Sequence, residues 1–283
     1  MDEKYVLVPK NDKPDGKLRR WMYVYFAVDM YTYDLLHIAI FPHNDLRSAQ
    51  AFLFALRAKG YHPSVLVTDL RRDYSAAIGP VFPQARHHEC LFHALQDLSK
   101  MFEDIYGKQP EKVVCASPST APERLKKAIV HIFAAKTKRT AIKRLKRVMK
   151  LRAVCVGANS GADAIFQFLS THWPKLSNAI ESRVIPKTNN AVELVIRRFD
   201  QHYQSFCGFE HLSTAQPFLA VFEKIYCTTL FSVDAQPRIR GKSPLELAGY
   251  NLSKIPREQS LIGQTPDTTP IIRPEEELYV PNL

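Results

Sequence analysis

The chain has 283 residues, 46% of them hydrophobic, with a formal net charge of +11 and a pI near 9.4. That length and apolar content suit one elaborated globular domain or two small ones and exclude a chain without a core. The positive charge favours a polyanionic partner, nucleic acid first. No stretch approaches the roughly 20 apolar residues of a transmembrane helix and no signal-peptide apolar region opens the sequence, which points to a cytoplasmic protein rather than a membrane protein.

In chain order, apolar runs predict strands over 5–8, 22–28 and 35–41, joined by a polar turn (KNDKPDGK) and a turn over 29–33, which reads as an antiparallel meander. A helix follows, with Asp45 as N-cap, Ala49, Phe52, Leu53 and Leu56 as its apolar stripe, and Gly60 as its stop. Val65 to Thr68 reads as a strand buried on both faces and ending at Asp69, where ligands of open α/β sheets gather. A short helix near 74–78, a strand over 84–88 and a helix over 91–102 complete a βββαβαβα order, an α/β fold with a mixed sheet flanked by helices. Residues 105–185 break the rhythm, reading as helices over 122–135, 137–151, 163–173 and 175–183, a helical insertion. A helix beginning TNNAVELVIRRF, a loop (CGFEH), helices over 214–231 and 244–248 and an extended polar tail over 251–283 follow. The chain thus divides into a first core segment (1–104), the insertion (105–185), a completing core segment (186–250) and the tail.

Three acids stand where a two-metal phosphoryl-transfer site needs them. Asp2 opens one apolar strand, Asp69 closes another, and Glu193 falls in the first turns of a helix. Two hard cations roughly 3.5 to 4 Å apart need carboxylates from separate rigid elements. Asp29, at the end of a strong apolar strand, is a rival for the first position. Arg197, one turn beyond Glu193, is suited to holding the carboxylate or meeting a phosphate, and Asn189 and Asn190 are suited to capping the helix. The segment TKRTAIKRLKRVMKLR carries Lys143, Arg144 and Arg147 on a basic face fit for phosphate contact or for plain solvation. The five cysteines are scattered and odd in number, which argues for reduced thiols. Cys90 and His93 have C-x-x-H spacing and, with His87 or His88 and Cys115, are a possible structural zinc set.

The segments DEKYV, WMYVYFAVDMYTYDLLHIAIF, VTDLRRDYSAAI, HHECLFH, TNNAVELVIRRF, GFEHLSTA and GKSPLELAGYN, in that order across residues 2–251, resemble the DDE transposases of bacterial insertion sequences, an integrase-like group. The resemblance implies a ribonuclease H-like fold and puts the three metal ligands on Asp2, Asp69 and Glu193. It also implies two Mg²⁺ (or Mn²⁺) ions, water-driven cleavage at the element end and attack of the freed 3′-hydroxyl on target DNA. Its partners would be element ends and target DNA, with a homo-oligomer as the active form and nucleoid association when bound. Such transposases usually carry a helix-turn-helix region before the first aspartate, so the expectation is a truncated copy. An inert DNA-binding remnant and a structure-specific nuclease on the same fold are the alternatives.

Overall fold

The computed structural model describes residues 1–8, 21–107 and 122–252. The KNDKPDGK turn, Cys115 and all but the first two residues of the expected tail lie outside the described residues. Strands β1 (Asp2–Leu7), β2 (Trp21–Val28) and β3 (Leu35–Phe41) form an antiparallel sheet with β2 in the centre. Side chains of β2 alternate between two cores. Val24, Phe26 and Val28 pack with Val192, Val195 and Phe199 of α8 (Asn190–Phe206) and Leu219 and Phe222 of α9 (Leu212–Thr228). Tyr25 and Ala27 pack with Phe52, Leu53 and Leu56 of α1 (Leu46–Ala58) and with Tyr74, Ala77 and Ile78 of α2 (Arg72–Val81). Helices cover both faces, which is why β2 is apolar at nearly every position.

The single mixed sheet expected from the element order is instead two sheets. β4 (Val65–Thr68) pairs in parallel with β5 (Arg86–Glu89), Val65 opposite Arg86 and Thr68 opposite Glu89. What joins the sheets beside β1 is the Met1 amine, buried and donating to the Val67 carbonyl at 2.9 Å. Met1 precedes β1, and this single bond does not extend into a ladder between β1 and β4.

The second helical unit has its own core. Ala94, Leu98 and Phe102 of α3 (Leu91–Tyr106) pack with Ile129 and Ile132 of α4 (Pro122–Phe133), Ala141 and Val148 of α5 (Lys138–Met149), and Ile165, Phe166 and Leu169 of α7 (Asp163–Leu176). Two details depart from the expected pattern. The helix predicted to start after Pro174 does not exist as a separate element, because α7 runs through Pro174 to Leu176 and closes in a 3-10 turn, Ser177–Ala179. A helix not predicted, α6 (Arg152–Ala158), has no buried residue and so no apolar stripe to announce it. A short helix, α10 (Pro244–Leu247), is held by a capping box between Ser243 and Glu246.

Local caps fix the elements that carry function. The Asp45 side chain accepts from the Ser48 N–H at 2.9 Å and starts α1 as the sequence predicts. α8 ends at Cys207, whose positive φ of 53° lets the chain turn before Phe209 N–H bonds the Leu7 carbonyl at 2.9 Å.

Candidate active site

The carboxyl end of β4, the start of β1 and the first turn of α8 meet at one edge of the sheets. Among the described residues, one grouping of potential metal ligands has all its ligand atoms within 4.8 Å of one another: Asp2, Glu3 and Asp69. Glu193 lies outside that grouping. It is joined to it through two neighbours, Asn189 and His93. Asn189 is fully buried, and its amide donates to the Met1 carbonyl at 3.2 Å and to Asp2 Oδ2 at 3.1 Å. His93 Nε2 lies 3.9 Å from Glu193 Oε1.

Asn189 occupies the N-cap position of α8 but makes no side-chain cap bond. The capping role expected from the sequence is therefore not what its side chain does: its amide N–H donates to Asp2, while Oδ1 accepts from no helix N–H. The backbone N–H of Asn189 donates to Cys90 Sγ at 3.3 Å, and the Leu91 N–H donates to the Lys187 carbonyl at 2.9 Å. These bonds fasten the start of α8, and with it Glu193, to the junction of β5 and α3.

Glu3 belongs to the acidic grouping by distance but not by availability. Its Oε1 accepts from Arg71 Nη1 at 2.6 Å and Asn44 Nδ2 at 2.9 Å, and its Oε2 accepts from the Tyr74 hydroxyl. With both oxygens engaged by a guanidinium, an amide and a phenol, Glu3 anchors β1 against α2 rather than offering a vacant ligand. Asp2 and Asp69 are less satisfied by the protein. Asp2 Oδ1 accepts the Glu3 N–H at 2.8 Å, and Asp69 Oδ1 accepts the Arg71 N–H at 3.2 Å. Asp29, the sequence-level rival, caps its own turn by accepting from Tyr31 N–H, Thr32 N–H and the Thr32 hydroxyl at 2.7 to 2.9 Å.

The electrostatics are those of closely spaced, partly buried acids. Burial, then the charges of Glu3 and Asp2, push the Asp69 carboxyl up to about 7. Burial and Glu3 likewise raise Asp2. His93 is held at about 9, by Cys90 first and then by the charges of Asp2 and Glu193. Burial alone would push the Cys90 thiol up, but bonds with His93 and the Asn189 N–H hold it below its ordinary value. Glu193 Oε1 and Asn189 Oδ1 are buried without a hydrogen-bond partner. Raised aspartates and orphaned oxygens of hard-ligand type fit a divalent cation.

The pH consequence has a definite sign. A carboxyl whose folded value is raised contributes stability below its unfolded value of 3.8 that is lost as pH rises through about 7. In the metal-free protein, Asp69→Asn is expected to remove that loss. The denaturation midpoint of the variant should gain on wild type between about pH 4 and about pH 7 and level off above that. A difference that stays flat over that range would mean Asp69 is not buried among like charges.

The remaining sequence-level site residues are scattered by comparison. Arg197 is exposed on α8. Lys143 and Arg147 are exposed on α5, whereas Arg144 is half-buried and donates to the His131 carbonyl of α4. Cys90 and His93 find no third zinc ligand among the described residues. His88 turns away to the Lys175 carbonyl at 2.9 Å and His87 to Thr68 Oγ1 at 2.8 Å. Sequence reasoning missed the roles of Glu3, Arg71 and Asn44. Only the adjacency of Glu3 to Asp2 was visible, and strand alternation sends the two to different neighbours.

The family described as Transposase IS66 family matches residues 1–216, a span that includes every residue of the acidic site and the basic face of α5. A comparison with curated proteins finds no match to this chain.

Proposed function

The chain belongs to the IS66 family of transposases, and from that membership we propose that it catalyses divalent-metal-dependent cleavage and strand transfer of DNA on a ribonuclease H-like core. The core reading is supported by the antiparallel β1–β3 meander, the parallel β4 and β5, and helices on both faces. Residues 105–185, between the second aspartate and the glutamate, are then the insertion, its described helices sharing one core with Ala94, Leu98 and Phe102 of α3.

The observation that carries the mechanism is the approach of Asp2 to Asp69 with Asn189 tying Asp2 to the helix of Glu193. Asp2, Asp69 and Glu193 would hold two Mg²⁺ (or Mn²⁺) ions, oxygen ligands suiting a hard cation. Bound divalent ions supply charge neutralisation to the attacking and leaving oxygens of an in-line displacement. The protein's own part is orientation. Asn189 fixes one oxygen of Asp2, and Arg71 neutralises Glu3 so that the neighbouring aspartates do not bear its full repulsion. Arg197, one turn from Glu193, offers a guanidinium to a phosphate of the bound strand.

The test is incubation of the protein with labelled duplex taken from the flanks of its own gene. The expected result is Mg²⁺-dependent nicking followed by joined products. Nicking without joining would favour a nuclease on the same scaffold, and no cleavage in either Mg²⁺ or Mn²⁺ would defeat the reading.

DNA contact by the insertion gives a second expectation. Each phosphate contact contributes about 0.9 to the slope of log affinity against log salt. Lys143→Ala with Arg147→Ala should flatten that slope by about 2 units. Arg144→Ala should change it less, because its guanidinium already serves the His131 carbonyl. An unchanged slope in the double variant would mean that this face is only solvated.

A further inference from the structure

Behind Asp69 runs a polar network that the carboxylate site does not use. Glu89, the last residue of β5, is 1% exposed, with Oε2 2.6 Å from His172 Nδ1 and Oε1 3.0 Å from Lys175 Nζ, both on α7. Lys175 Nζ also donates to Ser75 Oγ on α2. Ser75 Oγ lies 3.4 Å from His87 Nδ1, His87 Nε2 lies 2.8 Å from Thr68 Oγ1, and Thr68 Oγ1 donates to the Asp69 carbonyl at 2.8 Å.

The two ends fix the direction of every bond between them. An ammonium only donates and a carbonyl only accepts. The single hydroxyl proton of Thr68 goes to Asp69, so Thr68 must accept from His87 Nε2–H. Burial holds His87 down to about 4, so the ring is neutral and its one proton is on Nε2. Nδ1 is then an acceptor for the Ser75 hydroxyl, and Ser75 in turn accepts from Lys175. From Lys175 to the Asp69 carbonyl every link then has one donor and one acceptor, the consistent directionality by which a buried network rigidifies its surroundings.

We propose that this chain of hydrogen bonds is a positioning relay through which α7 fixes the backbone of Asp69, making Lys175, Ser75 and His87 positioning residues of the carboxylate site. The inference rests on the reading of Asp69 as a metal ligand. The relay ends on the carbonyl of Asp69, so its loss loosens the carboxylate without removing any ligand atom. It also joins residues 100 positions apart, 75 to 175, which local secondary structure does not hold together.

The experiment is Mn²⁺ titration of the full chain without DNA, followed by electron paramagnetic resonance of free Mn²⁺, with thermal midpoints recorded in chelator. Asp69→Asn should remove most binding. Ser75→Ala and His87→Phe should each weaken Mn²⁺ binding about tenfold, the low end of what outer-shell partners of a metal ligand supply. His87→Gln should recover most of that loss, because an amide can donate toward Thr68 and accept from Ser75. If His87→Phe does not fold, Ser75→Ala carries the test, since it leaves the Glu89 pairings intact. Wild-type affinity in Ser75→Ala and His87→Phe, with Asp69→Asn still defective, would overturn the relay and leave the metal reading standing; lowered thermal midpoints with unchanged affinity would do the same. Mn²⁺ binding indifferent to Asp69→Asn would overturn both.

Discussion

Glu193→Gln is expected to abolish DNA cleavage and joining, by on the order of 10³-fold or more, the scale reached when one electrostatic partner of a transition state is removed. The substitution keeps size and shape. Glu193 Oε1 accepts no hydrogen bond among the described residues, so the helix keeps its bonds and the protein loses only the charge contact with His93 at 3.9 Å. What disappears is the negative charge that would balance a divalent ion beside Asp2 and Asp69. DNA affinity should stay within about twofold of wild type, because the residues proposed to neutralise phosphates lie on α5 and further along α8. A glutamine variant that cuts as fast as wild type in Mg²⁺ would remove Glu193 from the mechanism.

Phe199→Ala should cost about 3 to 5 kcal/mol of stability, the range for an aromatic truncated in a core that cannot collapse around the void. Phe199 is fully buried at the centre of an aromatic cluster, its ring centroid 5.5 Å from Phe26 and Phe222, 5.8 Å from Tyr203 and 6.2 Å from Phe218. It seats α8 between β2 and α9, and Glu193 rides on the same helix. The check is a denaturant titration in which the midpoint falls while the slope is unchanged. A cost below about 1 kcal/mol would mean that the other aromatic rings of this core hold α8 without it. If the variant folds, its cleavage rate should fall even under conditions where the native state dominates, because a shift of the helix misplaces the carboxylate.

These two variants separate what is carried by one atom group from what is carried by packing. Glu193 stands out in the sequence as an acid in the first turns of a helix inside a segment resembling the DDE transposases, and the structure places it in the first turn of α8. The burial of Phe199 is visible only in the structure, which puts it on one face of α8 with Val192 and Val195.

The clearest successes of sequence reading are elements with local causes. β3 is Leu35–Phe41 as its apolar run predicts, and α1 begins at the Asp45 cap and buries Ala49, Phe52, Leu53 and Leu56. The failures share a cause of the opposite kind. α6 buries nothing, so it left no period to read. Pro174 was read as a break, yet α7 carries it in its last turn. β5 was expected over 84–88 and is Arg86–Glu89. Its run of charged and imidazole side chains looks like surface, but His88 and Glu89 are buried because α7 and the chain before α8 supply their partners.

The sequence by itself determined the meander, the alternating elements after it, the apolar faces that build the cores, and the positions of Asp2 and Asp69 at strand ends. Those follow from periodicity and capping, which act over a few residues. Only the tertiary structure decided that Glu3 is consumed by Arg71, Asn44 and Tyr74, that Asn189 serves Asp2 rather than its own helix, and that Lys175 reaches Asp69 through Ser75, His87 and Thr68. Each of these depends on which donor meets which acceptor after chain segments far apart in sequence have packed. Hydrogen bonding is directional and short in range, so residue type alone leaves its partner undetermined until the fold brings one within about 3 Å.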